Sequence, residues 1–85
     1  MNHCTRILII EDDADINEVT TSYLRKQGYE CTQAFSGSEA RLLFEQRSAD
    51  GGTSFDLVIT DLMLPGMTGQ EIVGMIRRHA STPII

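Results

Sequence analysis

The sequence predicts an α/β fold in which an open parallel sheet lies between two layers of helices. Short β-branched runs alternate with amphipathic segments of helical length, in the order β-α-β-α-β-α-β. Connections of helical length join parallel strands, whereas antiparallel neighbours need only a tight turn. The first run is apolar at four successive positions, 7–10, as in a strand that is covered on both faces.

Length and composition limit the chain to one small domain. It has 85 residues, of which 41% are hydrophobic and 22% are charged, as in globular proteins. Seven basic against twelve acidic residues give a net charge of −5, which argues against nucleic-acid binding by this segment because phosphate contacts need clustered Lys and Arg. No apolar run approaches the roughly 18 residues that span a bilayer, and no signal peptide is evident. Cys4 and Cys31 are expected to be free thiols in a cytoplasmic protein.

Four runs are predicted as strands. Residues 6–10 form the first, which stops at three consecutive acids. Residues 30–35 form the second, where apolar and polar residues alternate. Residues 55–60 form the third, which is followed directly by Asp61. Residues 82–85 have the composition of the beginning of a fourth strand.

The first helix is predicted over residues 15–27. Gly28 should end it, because glycine readily adopts the left-handed backbone found at helix C-termini. Four apolar residues share one side of this helix, and that side is expected to pack against the sheet: Ile16, Val19, Tyr23 and Leu24.

Two capping boxes predict the starts of the other helices. Ser36 and Glu39 have this spacing at the start of a helix that runs to about residue 47, and Thr68 and Glu71 repeat it before a third helix. The residues expected to be buried are Ala40, Leu43 and Phe44 in the second helix and Ile72, Val73 and Ile76 in the third.

Acidic residues follow two of the predicted strands directly. Glu11 and Asp12 come after the first strand, and Asp61 comes after the third. Ligands of open α/β sheets bind beyond the carboxyl ends of the strands, so these carboxylates converge if the two strands are neighbours. Carboxylates held together repel unless a cation lies between them. Oxygen ligands without Cys or His suit Mg²⁺, which the sequence therefore predicts here.

Some nearby acids have a simpler explanation. Asp15 and Glu18 lie early in a predicted helix, where negative charge stabilises the N-terminus, and Asp13 fits either that role or the metal site. The simpler explanation does not suit Asp12 and Asp61, because acids at the ends of two buried strands are costly without a partner.

Two motifs in this context carry a family resemblance. Residues 7–13, ILIIEDD, and residues 57–69, LVITDLMLPGMTG, resemble the receiver domain of bacterial two-component response regulators. The resemblance covers essentially the whole chain and implies a flavodoxin-like, three-layer α/β/α sandwich. The residues 61–66 and 82–85 are most similar to the subfamily with a C-terminal winged-helix DNA-binding domain.

The resemblance implies specific roles for individual residues. Asp61 would be the phosphoacceptor, taking a phosphoryl group from a sensor histidine kinase. Asp12, Asp61 and the backbone carbonyl of Met63 would bind Mg²⁺ directly, and Glu11 would bind it through a water. The loop after the phosphoacceptor would be shaped by Pro65 and Gly69.

The resemblance also implies partners and an output. The protein would control transcription through a DNA-binding domain that this chain lacks. No membrane partner is expected. The protein would transfer a phosphoryl group to itself and would not be a turnover enzyme. The first helix would present its exposed side to the kinase, with four candidate contact residues: Asn17, Thr20, Thr21 and Arg25.

Receivers are larger than this chain. They run to roughly 120 residues, an ordinary domain size, so residues 1–85 are expected to be an incomplete receiver domain that stops after the start of the fourth strand. The exposed edge of the third strand would then favour dimerisation or segment swapping. For the 85-residue chain, weak Mg²⁺ binding and little stable phosphorylation are expected.

Three alternatives compete with this interpretation. A phosphatase of the haloacid-dehalogenase type needs a second acid two residues after its nucleophile, where this chain has Met63 or Ala14. A flavodoxin-like cofactor binder needs a phosphate-binding loop after the first strand, where the acids would repel phosphate. A non-phosphorylated interaction module, or an inactive fragment that self-associates, stays open.

Overall fold

A computed structural model describes residues 5–49, 55–61, 68–79 and 84–85 of the chain. The elements are β1 (Arg6–Ile10), α1 (Ala14–Lys26), β2 (Glu30–Ala34), α2 (Gly37–Ala49), β3 (Leu57–Thr60) and α3 (Gly69–His79). Their order confirms the predicted alternation, and the observed boundaries of the three strands, of α1 and of α2 lie within two residues of the predicted ones. Within these ranges, no helix has both the length and the apolar character needed to cross a membrane.

The three strands form a parallel sheet in the order β2-β1-β3. Ile10, the last residue of β1, pairs with Ala34 of β2 on one side and with Thr60 of β3 on the other. The three strands therefore end level with one another. The predicted neighbourhood of β1 and β3 is confirmed, and β1 is the central strand.

Alternate residues of β1 face different helical layers. Leu8 and Ile10 belong to a larger core that includes residues of α2 and α3, whereas Ile7 and Ile9 belong to a smaller core against which Leu24 of α1 packs. Side chains alternate between the two faces of a strand, so both faces of β1 are covered. All four of these β1 side chains are buried, which explains why this run is apolar throughout.

The larger core centres on two aromatic rings. The ring centroids of Phe44 and Phe55 are 5.4 Å apart and the rings meet edge to face, at an interplanar angle of 78°. The predicted buried side of α2 is confirmed, since Ala40 and Phe44 are buried and Leu43 is half-buried against the same core.

The predicted buried side of α3 is wrong at one residue, Val73. Ile72 and Ile76 are buried as predicted, but the third buried residue is Met75, and Val73 is exposed. Adjacent residues are about 100° apart around a helix, so Val73 points away from the direction of Ile72. The unbranched Met75 side chain, one turn along from Ile72, fills the core position.

The side of α1 that faces the sheet differs from the predicted one. Leu24 is half-buried against the smaller core, but the side facing the sheet also carries Asn17 and Thr21, both fully buried. Polar side chains can be buried there because each makes hydrogen bonds inside the fold. The prediction is wrong for the other three apolar residues, which are 53%, 70% and 63% exposed: Ile16, Val19 and Tyr23.

The predicted helix ends are confirmed. Gly28 follows α1 with a φ of 95°, in the left-handed region. The Ser36 hydroxyl accepts a hydrogen bond from the N–H of Glu39 at 3.1 Å. Thr68 and Glu71 form a reciprocal capping box, in which each side chain accepts from the other residue's N–H, at 3.1 and 3.2 Å.

A segment beyond α3 pairs with the free side of β3. Ile84 forms a parallel bridge with Val58, the N–H of Ile85 donates to the Val58 carbonyl at 2.8 Å, and the N–H of Thr60 donates to the Ile85 carbonyl at 3.0 Å. This pairing agrees with the predicted beginning of a fourth strand. The other two residues of that prediction, Thr82 and Pro83, lie outside the described residues.

Candidate functional site

Three carboxylates meet at the carboxyl edge of the sheet. The N–H of Glu11 donates to the Ala34 carbonyl at 3.0 Å, and the N–H of Asp61 donates to the Ile10 carbonyl at 3.1 Å, so strand-like pairing continues one residue beyond β1 and β3. Glu11, Asp12 and Asp61 consequently leave the sheet at the same edge. One carboxylate oxygen from each of the three lies within 4.8 Å of the other two.

The cluster is electrostatically unfavourable on its own. The pKa of Glu11 is raised above its ordinary value, first by partial removal from water, and further by a hydrogen bond that the protonated Glu11 carboxyl donates to Asp12 and by the negative charges of Asp61 and Asp12. The backbone N–H of Asp13, which donates to Glu11 Oε2 at 3.3 Å, acts in the opposite direction. A cation bound between the three carboxylates would attract each of them, and this attraction would outweigh the repulsion among their negative charges.

The chemistry of the three donors fits a hard divalent cation. All three are carboxylate oxygens, the ligands that Mg²⁺ and Ca²⁺ prefer. One oxygen from each carboxylate lies within 4.8 Å of the other two, close enough for a single ion to contact the group. Asp12 is exposed and the other two are half-buried, which leaves the site open to solvent ions.

Asp13 caps the N-terminus of α1, and the nearby Asp15 and Glu18 lie within that helix. Asp13 Oδ1 accepts hydrogen bonds from the N–H groups of Asp15 and Ile16, at 3.0 and 3.1 Å, which caps α1. Asp15 is exposed in the first turn, and Glu18 accepts a hydrogen bond from Gln33 Nε2 at 3.1 Å. Of the two roles open to Asp13, the hydrogen bonds support capping.

The resemblance predicts three further residues for the site: Met63, Pro65 and Gly69. Met63 and Pro65 lie outside the described residues. Gly69 is the first residue of α3, directly after the Thr68 cap. The backbone ligand at Met63 and the shaping of the loop by Pro65 and Gly69 stay predictions.

Two of the four predicted kinase-contact residues are not on the surface. Asn17 and Thr21 are fully buried, so the prediction that they lie on the exposed side of α1 is wrong. Thr20 is half-buried and Arg25 is exposed. Asn17 and Thr21 share a helical face with Leu24 at positions i, i+4 and i+7, but both are polar, so the apolar pattern did not mark that face as buried.

Cys31 is a free thiol within the described part of the chain. Burial raises its pKa, and the positive charge of Arg25 opposes that effect. The other cysteine of the sequence, Cys4, lies outside the described residues.

Comparison with known proteins identifies the family. The family described as "Response regulator receiver domain" has a model that matches residues 7–85. The chain belongs to the response regulator receiver family. The match includes residues 7–10 of β1, all of β3 and the whole acidic cluster, and it confirms the resemblance carried by the two motifs.

Curated relatives of this receiver are regulatory proteins. Transcriptional regulatory protein ResD of Bacillus subtilis is 37% identical over 82 residues, which make up 95% of this chain and 31% of ResD. Sensory transduction protein RegX3 of Mycobacterium tuberculosis is 36% identical over 81 residues, 95% of this chain and 33% of RegX3. The receiver thus spans about a third of the length of the curated relatives it matches.

Solved receivers share its fold. The chemotaxis response regulator CheY4 of Vibrio cholerae aligns with a TM-score of 0.79 and 32% identity, over 96% of this chain and 66% of CheY4. The response regulator TrrA of Thermotoga maritima, in complex with Mg(2+)-BeF, aligns with a TM-score of 0.78 and 34% identity, over 94% and 65% of the two chains. The predicted flavodoxin-like fold is confirmed.

Proposed function

We propose that this receiver is the phosphoacceptor of a two-component pathway and that Asp61 carries the phosphoryl group. The observation that supports this best is the convergence of three carboxylates within 4.8 Å at the carboxyl edge of the sheet. Asp61 is half-buried directly after β3, where a hydrogen bond from its N–H to the Ile10 carbonyl holds its backbone. Membership of the receiver family supports the same role.

The proposed reaction is a transfer between two side chains. A carboxylate oxygen of Asp61 attacks the phosphorus of a phosphohistidine on a sensor histidine kinase. The new O–P bond forms as the N–P bond breaks, and the electron pair of the broken bond stays on the imidazole, which departs neutral because its other nitrogen carries a proton. Phosphoryl transfer of this kind depends mainly on in-line positioning and charge stabilisation. The backbone hydrogen bond from Asp61 to Ile10 would hold the nucleophile in position.

Mg²⁺ is the proposed metal. Asp12 and Asp61 would hold it directly together with the backbone carbonyl of Met63, and Glu11 would hold it through a water. When bound, the ion neutralises the carboxylates and the oxygens of the incoming phosphoryl group. The all-oxygen donor set and the Mg(2+)-BeF complex of the TrrA receiver support this choice. The loop that completes the site would be shaped by Pro65 and Gly69.

The proposed partner is a sensor histidine kinase and the proposed output is transcription in the cytoplasm. ResD is a transcriptional regulatory protein, and about two thirds of its length lies outside the region matched by this chain. DNA binding would belong to that additional part, which agrees with the net charge of −5 here. The receiver itself would accept one phosphoryl group and would not turn over substrate.

Phosphorylation by a small phosphodonor tests the role of Asp61. Full-length protein incubated with radiolabelled acetyl phosphate should take up label in Mg²⁺ but not in EDTA, and Asp61→Asn should stay at background because an amide cannot attack phosphorus. Asp56→Asn is the matched control, since Asp56 lies before β3 at the opposite end of the sheet and accepts a hydrogen bond from the Arg6 N–H at 2.8 Å. Asp56→Asn should label as the wild type does.

Two results would contradict the proposal. Equal labelling of Asp61→Asn and wild type would mean that another residue is the phosphoacceptor. If neither acetyl phosphate nor a histidine kinase labels the wild type, the non-phosphorylated interaction module is the better interpretation.

A further inference from the structure

We infer that Asn17 is a positioning residue for the acidic site, because its side-chain amide fixes the peptide that joins Glu11 to Asp12. The inference rests on the proposed function, in which these two acids bind the ion. The peptide is planar, with the Glu11 carbonyl on one side and the Asp12 N–H on the other. Its orientation therefore sets the directions in which both acidic side chains leave the backbone.

The amide nitrogen of Asn17 bonds both strand ends. Nδ2 donates to the Glu11 carbonyl at 3.0 Å and to the Ala34 carbonyl at 3.1 Å. The Ala34 carbonyl also accepts the N–H of Glu11 at 3.0 Å. Asn17 thus links the residue that follows β1 to the last residue of β2, at the edge of the sheet where the carboxylates meet.

The amide oxygen of Asn17 is held as firmly as its nitrogen. Oδ1 accepts from Gln33 Nε2 at 2.9 Å and from the Thr21 hydroxyl at 3.2 Å. An amide offers two donors and two acceptor positions, so every one of them is used. Rotating the amide by 180° would place Oδ1 against two carbonyl oxygens, which are also acceptors, and Nδ2 against Gln33 Nε2, which is also a donor. All of these hydrogen bonds would be lost. Since Asn17 is also fully buried, it has a single orientation, and its partners are rigidly placed.

A purely structural role for Asn17 would have a different consequence. If Asn17 only fastened α1 to the sheet, its loss would lower stability and leave the carboxylates of the folded protein where they are. Positioning predicts weaker ion binding by protein that is still folded. Residues that orient metal ligands typically change metal affinity by roughly 10- to 100-fold when they are removed.

Binding of Mn²⁺, a paramagnetic substitute for Mg²⁺, separates these roles. Electron paramagnetic resonance titration of the full-length Asn17→Ala variant should show binding about tenfold weaker or more, at a temperature where circular dichroism shows wild type and variant fully folded. Thr21→Val is the matched control, because it removes one hydrogen bond to Oδ1 and leaves both Nδ2 bonds. Thr21→Val should bind Mn²⁺ as the wild type does.

A second measurement needs no metal. In heteronuclear NMR spectra of the metal-free protein, the backbone amide signal of Asp12 should move in Asn17→Ala and stay in place in Thr21→Val. If Asn17→Ala does not fold, Asn17→Ser replaces it, since a hydroxyl retains one donor. Its Mn²⁺ affinity should fall between those of the wild type and Asp12→Asn.

The outcomes distinguish this inference from the proposed function. If folded Asn17→Ala or Asn17→Ser binds Mn²⁺ with wild-type affinity while Asp12→Asn loses binding, Asn17 has no positioning role and the proposed metal site stands. If Asp12→Asn also binds with wild-type affinity, the proposed site and the inference are both wrong.

Discussion

At the scale of single residues, Glu11 lies where its charged form is disfavoured, first by partial removal from water and then by the nearby Asp12 and Asp61. The pKa of Glu11 is raised in the folded state, so the folded protein binds a proton there more tightly than the unfolded chain does. The contribution of Glu11 to stability is therefore greatest at low pH. It declines as the pH rises through the interval between the ordinary glutamate pKa and the raised one, and it stays lower above that interval.

Replacement of Glu11 by a neutral residue of the same shape should remove this effect. Glu11→Gln is expected to raise the melting temperature near neutral pH in EDTA and to reduce the decline in stability as the pH rises above the ordinary glutamate pKa. Thermal unfolding followed by circular dichroism over a pH series measures both. Glu45→Gln, at an exposed position on α2, makes the same change of charge away from the cluster. Equal effects of the two substitutions would show that repulsion within the cluster is not the cause.

The convergence of the acids could be predicted, because each follows a strand directly. Parallel strands have their carboxyl ends at the same edge of a sheet. The acids Glu11, Asp12 and Asp61 therefore converge if β1 and β3 are neighbouring strands, and the structure shows that they are. The role of Asn17 could not be predicted in this way. Its partners Gln33 and Ala34 lie on β2, 16 and 17 residues further along the sequence. Local sequence patterns do not reveal contacts between residues so far apart.

At the scale of elements, two glycines have opposite conformational requirements. Gly28 ends α1 with a φ of 95°, whereas Gly74 lies inside α3. Apart from the adjoining residues and, at Gly74, the backbone of its own helix, a Cβ atom at either position would meet nothing within 4 Å, so substitution by alanine changes backbone preference without a clash. Gly28→Ala should destabilise by about 1–2 kcal/mol, because a Cβ disfavours the left-handed region. Gly74→Ala should stabilise by about 0.5–1 kcal/mol.

Urea denaturation of the two single variants measures both differences. Each glycine acts as the control for the other, since both substitutions add one methyl group in open space. A loss of stability in Gly74→Ala similar to that in Gly28→Ala would contradict the conformational explanation.

At the scale of the whole molecule, the larger core on the α2 and α3 side of the sheet dominates stability. Phe44 is 1% exposed and packs edge to face on Phe55. Phe44→Ala should destabilise by about 3–5 kcal/mol, through lost burial and the cavity left behind. That is a large share of the roughly 5–15 kcal/mol that stabilises a typical domain, so the unfolding midpoint should fall substantially.

Leu42, two residues away on the same helix, provides the matched control. Its side chain is 58% exposed, and Leu42→Ala should change stability by no more than about 0.5 kcal/mol. Urea or thermal unfolding of the two variants measures the contrast. Comparable losses for both would mean that α2 faces the sheet through a different side.

The sequence by itself determined the order of strands and helices, the helix caps and the acids at the strand ends. These depend on local properties, such as β-branched runs, the spacing of Thr68 and Glu71, and the residue type that directly follows a strand. Only the tertiary structure decided which side of α1 is buried. The spacing of apolar residues favoured burial of the side that carries Val19. The sheet, however, offers hydrogen-bond partners for Asn17. These hydrogen bonds offset the cost of removing the amide from water, so Asn17 can be buried. Periodicity records side-chain polarity, whereas burial of a polar group depends on partners that only the folded chain brings together.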